Sequence, residues 1–325
     1  METERDRIVG HDFVSEAFGD DVTDKRRLKM KKKWCGIGWI ALYIIIALGM
    51  QFVLSFQLVG AVYALLIKNG MIQNYAVVQN VLEKIVDLVQ QGRTMIYISA
   101  MADFLMLACF GTWYYLREKK YSFRPNYKKG LSGKNLLCIL GIGFFGQYAV
   151  EWIIVAIQLL FPDIFESYVE LAENFELSTA PPLLMIFFIC LFGPLVEEVV
   201  FRGMIYGKLR HNGFSLWPAA ILSGVAFGAF HMNWVQGAYA TVLGIIFAYV
   251  YEKTQTIWGT VLLHMAFNSC SYITEYLNEW LMQFESASLN IFMILFRIIS
   301  VGIVILLVRQ FRTRRNDNET VSEIG

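Results

Sequence analysis

The chain has 325 residues, 56% of them hydrophobic and only 17% charged. Soluble domains average roughly a quarter charged residues, so a water-soluble globular class is excluded. The formal net charge of +1 gives no basic face for nucleic acid, because basic and acidic residues are segregated loop by loop.

Residues 1–33 read as a polar cytoplasmic tail closed by Lys25, Arg26, Arg27, Lys29, Lys31, Lys32 and Lys33. The apolar run behind it, about 35–58, is long and lacks a small-residue cleavage pattern, so it is expected to be a retained span rather than a signal peptide. From Asn74 to Gln91, apolar residues at helical spacing face Glu83, Lys84 and Asp87, the pattern of an interfacial or packed amphipathic helix. A second span at about 95–116 leads into a basic loop holding Arg117, Lys119, Lys120, Arg124, Lys128, Lys129 and Lys134. A third, about 136–161, leads into an acidic loop holding Asp163, Glu166, Glu170, Glu173 and Glu176 with no Lys or Arg. Further spans are expected at about 183–206, 216–232, 234–251, 257–275 and 289–308. The last is closed by Arg309, Arg312, Arg314 and Arg315.

A helix needs roughly 20 apolar residues to span hydrocarbon, and the fold class is therefore all-α, a polytopic transmembrane bundle of about eight spans. With that count, every strongly basic loop falls on the side of both termini, which predicts cytoplasmic termini. The chain divides into the tail 1–33, N-terminal spans with the amphipathic segment over 34–134, a core over 135–275, and a last span with a tail over 276–325. The five cysteines are scattered and odd in number, which argues against a disulfide framework or a thiolate metal site.

Ionisable side chains at membrane depth are costly, roughly 2.5–3.5 kcal/mol each on insertion scales, and usually functional. Three polar clusters break the apolar runs. In the first, Glu198 and Arg202 are four apart, neighbours on one helix face, and hold each other charged. Glu197 points about 100° around the helix, unpaired within its segment and suited to proton transfer. The bland alternative is a Glu/Arg network that ties helices together. The second cluster is Phe227 with His231, one turn apart. Phe227 walls the imidazole from lipid, and a lone His at a helix end is more often a packing residue than a catalyst. The third is His264 with Asn268, again four apart, two donors that can converge on a developing oxyanion; the alternative is an interhelical clamp. Asp103, Glu151 and Arg297 also sit in spans, and a helix-bridging pair among them is expected.

Glu-Glu-x-x-x-Arg, Phe-x-x-x-His and His-x-x-x-Asn on successive spans resemble the CPBP family of intramembrane proteases, the CAAX prenyl proteases and bacteriocin-processing or immunity enzymes also called Abi. All three motifs match at their defining positions, and the resemblance covers about 135–275. It implies an intramembrane endopeptidase in which Glu197 and His231 activate water, His264 and Asn268 stabilise the oxyanion, and Glu198, Arg202 and Phe227 support the site. It implies a membrane-associated substrate: a prenylated C-terminus, a peptide or bacteriocin precursor, or a leader peptide. No metal is expected; the alternative is zinc on Glu197, His231 and His264 with an open fourth position. Expected partners are membrane lipid and a peptide or protein substrate, and the expected location is a bacterial plasma membrane. The rival readings are a non-proteolytic scaffold or immunity protein on the same fold, and a transporter. The transporter reading lacks the inverted repeat and paired broken helices such folds carry.

Overall fold

The computed structural model describes residues 5–69, 92–121, 131–174, 182–284 and 286–311. The amphipathic segment expected at 74–91, the loop 122–130, residues 175–181 and the chain beyond 311 lie outside the described residues. Among the described residues the backbone is helical with no strand. α1 runs Arg5–Lys68, so the expected basic tail and first span form one helix. The physical reason is plain in the sequence: the first proline is Pro125, and the tail is rich in strong helix formers.

α2 comprises Gly92–Met106, a π-helical turn at Leu107–Gly111, and Thr112–Tyr121. α3 is Gly133–Leu160 and α4 is Pro162–Asn174. α4 is a separate helix made from the acidic loop. α5 is composite: Pro182–Met185, π-helical Ile186–Phe192, Gly193–Glu198, π-helical Val199–Tyr206, and Gly207–His211. α6 is Leu216–Phe230, α7 Trp234–Thr254, α8 Ile257–Met282 and α9 Ala287–Gln310. Each of the eight expected spans falls on one of these helices. Four stretches are long and apolar enough to cross a bilayer by length and composition: Met30–Leu54, Gly133–Leu160, Trp234–Thr254 and Ala287–Gln310. The molecule is a helical membrane bundle.

Helix starts follow their side chains. Ser132, Asn233, Thr256 and Ser286 each accept a hydrogen bond from the backbone N–H two or three residues on, satisfying amides that the first helical turn leaves free. Between α6 and α7 the chain reverses in three residues. Met232 takes a left-handed φ of 54°, a conformation uncommon for residues other than glycine. The two helices then touch through glycines: a Cβ at Gly224 would lie 2.8 Å from the Thr241 carbonyl, and one at Gly244 2.8 Å from the Gly224 Cα. Small residues at such a crossing let backbones approach where no hydrophobic force drives helices together.

The core lies around α5. From Glu198 to Gly207 every residue is buried, packed by α1, α2, α6 and α7. A second cluster joins α3, α8 and α9 through Ile142, Leu263 and Val304. Backbone carbonyls of the π-helical part of α5 take donors from neighbouring helices. Arg117 of α2 donates to the Gly203 carbonyl at 2.6 Å, and Ser223 of α6 to Phe201 at 3.0 Å. Gly203 also lets Tyr114 come close, since a Cβ there would sit 2.9 Å from its ring.

Replacing Gly224 with Ala should force α6 and α7 apart. The expected cost is about 1–3 kcal/mol, as for overpacking a tight contact, read as a lower unfolding midpoint in detergent, with the outward-facing Val225→Ala close to wild type.

Candidate functional site

Glu198 and Arg202 are fully buried, and Arg202 Nη1 donates to Glu198 Oε1 at 2.8 Å. Arg202 Nη2 donates to the Gly244 carbonyl of α7 at 3.2 Å. Its guanidinium lies over the Phe227 ring at 4.5 Å and the Phe247 ring at 5.0 Å. Two aromatic faces therefore supply part of the attraction that water would give elsewhere. α5 thus holds α6 and α7 through one side chain.

His264 of α8 joins the same carboxylate: its Nδ1 is 3.0 Å from Glu198 Oε1. A carboxylate can only accept, so Nδ1 carries hydrogen and Nε2 is left for other work. That nitrogen lies 3.7 Å from Glu197 Oε2. The adjacent glutamates thus divide: Glu198 is buried with Arg202, while Glu197 is one-quarter exposed.

His231 caps the C-terminus of α6, and its Nδ1 is 2.8 Å from the Phe227 carbonyl. A carbonyl also only accepts, so this imidazole too keeps Nε2 as its unprotonated nitrogen in the neutral form. Phe227 has a larger part than a wall against lipid. Its ring is edge-on to His231 at 4.8 Å and to His264 at 5.6 Å, and carries the Arg202 guanidinium on its face. Asn268 donates its amide to the Ile189 carbonyl at 2.9 Å, in the first π-helical stretch of α5. The expected common focus of His264 and Asn268 is thus modified. Each has one hydrogen engaged with α5, and one further amide hydrogen of Asn268 remains.

Glu197, Phe227, His231, His264 and Asn268 line one cavity of about 1140 Å³. Its walls come from α2, α3, α4, α5, α6, α7 and α8. For the zinc alternative, among the described residues no three His, Cys, Asp or Glu side chains are gathered as a metal-binding group; Nδ1 of each histidine is engaged by an acceptor, which leaves Nε2 of His231 and His264 as the nitrogens a metal would take.

Of the three isolated span charges, Glu151 and Arg297 pair across α3 and α9. Asp103 forms no ion pair among the described residues; it lines the cavity. Sequence reasoning passed over it as a site residue. The available signal was a carboxylate in a span with no cation at helical spacing.

Residues 179–270 match the family described as Type II CAAX prenyl endopeptidase Rce1-like. A protein from Bacillus subtilis (strain 168), YdiL, which carries a provisional membrane-peptidase description, is 33% identical over 92 residues, or 28% of this chain and 37% of the relative. The membrane-embedded CAAX protease MroQ of Staphylococcus aureus (strain USA300) is 30% identical over 102 residues, or 29% of this chain and 40% of the relative. The chain therefore spans about two-fifths of the length of each of these curated relatives. No solved structure matches it. All three polar motifs fall inside the matched segment.

Arg202→Gln should cost about 3–5 kcal/mol, because it leaves Glu198 charged and unpaired in the core. Denaturation in detergent checks this, and the double variant Glu198→Gln/Arg202→Gln should recover part of the loss.

Proposed function

We propose that this chain, which carries an Rce1-like domain over residues 179–270, is an intramembrane endopeptidase acting on a membrane-associated peptide or protein. The observation that carries the reading is the convergence of Glu197, His231, His264 and Asn268 on one cavity. The family match and the peptidase descriptions of the two relatives support it.

In this reading a water lies between Glu197 and the Nε2 of His231, whose ring the Phe227 carbonyl holds in the accepting tautomer. Glu197 takes a proton as the water oxygen bonds to the scissile carbonyl carbon. The carbonyl π bond breaks, and its electrons pass to oxygen. The second amide hydrogen of Asn268 and Nε2–H of His264 meet that oxyanion. Because Nδ1–H of His264 is committed to Glu198, the donating form is the doubly protonated ring. Collapse breaks the C–N bond, and Glu197 returns its proton to the departing amine. Donors fixed before reaction are usually the largest single contribution to such catalysis.

No step passes through a metal. The protein sits in a bacterial plasma membrane with both termini cytoplasmic, as the basic helix ends favour.

Wild type and Glu197→Gln, produced in a bacterial host, should differ in the peptides that mass spectrometry finds in cells and medium. At least one fragment should depend on wild type, and Glu197→Gln should lower its formation by about 10²-fold or more. Identical profiles from two folded, inserted proteins would move the function to a scaffold or immunity role. Asn268→Ala should lower kcat by about 10²–10³. Purified protein treated with chelator should keep its activity; stoichiometric zinc that disappears in His231→Ala would overturn the metal-free chemistry.

A further inference from the structure

The cavity gathers more carboxylates than its own cations pair with. Glu198 has Arg202, and Glu151 has Arg297. Asp103 from α2, with Glu275 and Glu279 from the far end of α8, also lines the cavity. None of these three is ion-paired with Lys or Arg among the described residues, and no Lys or Arg is among the lining residues. Asp103 is the best placed. A Cβ added at Gly193 would lie 3.9 Å from its Oδ2, which sets the carboxylate against α5 one helical turn before Glu197. Outside the cavity the same sign continues: Asp163, Glu166 and Glu170 are exposed on α4, whose Tyr168 is part of the wall.

We propose that Asp103 makes this cavity selective for a cationic segment, a peptide carrying Lys or Arg close to the bond that Glu197 addresses. Isolated carboxylates inside a bundle are costly to keep charged, and a substrate cation is the counter-charge the site lacks. The exposed carboxylates of α4 steer such a segment inward. Asp103 and the two α8 glutamates lie outside residues 179–270. Selectivity is therefore written on α2 and the far end of α8, outside the matched segment, and the chemistry within it. The inference rests on the endopeptidase reading only for treating the cavity as the substrate site.

The test uses lipid-anchored fluorescent peptides differing by Lys, Ala or Glu at one position at a time, with the full-length protein in nanodiscs of uncharged lipid. Binding is read by anisotropy before turnover. Lys peptides should bind about tenfold tighter than Ala peptides, ~1.4 kcal/mol, and the advantage should shrink at high salt. Asp103→Asn should abolish most of it, and Asp103→Lys should reverse it toward Glu peptides. The salt series needs only wild type, so it decides even if a variant does not fold. Binding indifferent to charge, no binding at all, or a preference unchanged in Asp103→Asn would overturn the proposal. Cleavage of the same peptides is scored separately. Lys peptides bound selectively but never cut would sink the endopeptidase reading alone; peptides cut regardless of charge would sink the selectivity alone.

Discussion

The Glu198–Arg202 pair is the point at which the helices around the site become one object. Two charges taken out of water demand full compensation, and Coulomb attraction alone rarely provides it. Here part of the remainder comes from the Gly244 carbonyl, two aromatic faces and the imidazole of His264. Those partners belong to α6, α7 and α8, so partnering Arg202 Nη1 and Nη2 and Glu198 Oε1 ties four helices together, while Arg202 Nε and Glu198 Oε2 stay buried without a hydrogen bond. The glycine contact between α6 and α7 is part of the same arrangement, because Arg202 can reach the Gly244 carbonyl only if α7 lies close.

The position of Glu197 follows from that constraint. Its neighbour is held inward with Arg202, and the helical turn between consecutive residues directs Glu197 toward the cavity. Phe227 separates the two imidazoles with an apolar edge while its own carbonyl orients one of them. A single residue therefore contributes a ring to packing and a backbone oxygen to tautomer choice.

How much of this could be read from the sequence depends on range. The four-residue spacings within each motif were legible because a helix converts them directly into neighbours, and the observed Glu198–Arg202 and Phe227–His231 contacts are of that kind. The all-helical class followed from apolar runs too long for anything else. Contacts between motifs were not legible. Nothing local indicates that His264 would turn its Nδ1 to Glu198, or that Asn268 would meet Ile189. Those depend on π-helical stretches in α5, which shift facing by a residue and have no sharp sequence signature. The left-handed Met232 was equally hidden, since no glycine marks that turn. Asp103 was visible as an intramembrane carboxylate, but its neighbour on α5 is some ninety positions away in the chain.

The hydrogen bond from Arg117 to the Gly203 carbonyl alters what counts as a unit of this protein. Within hydrocarbon a backbone oxygen without a donor costs several kcal/mol, and the π-helical part of α5 borrows its donors from elsewhere in the chain. The family match draws an edge at residue 179, but energetically that edge does not exist: a helix well upstream completes the backbone of the most buried one. Transplanting residues 179–270 onto another membrane scaffold would therefore export an unmet obligation. An exchange of N-terminal helices between homologues can succeed only where the replacement brings a donor to the same spot. Such a latch makes the two parts of the chain inherit one another, however differently their sequences drift.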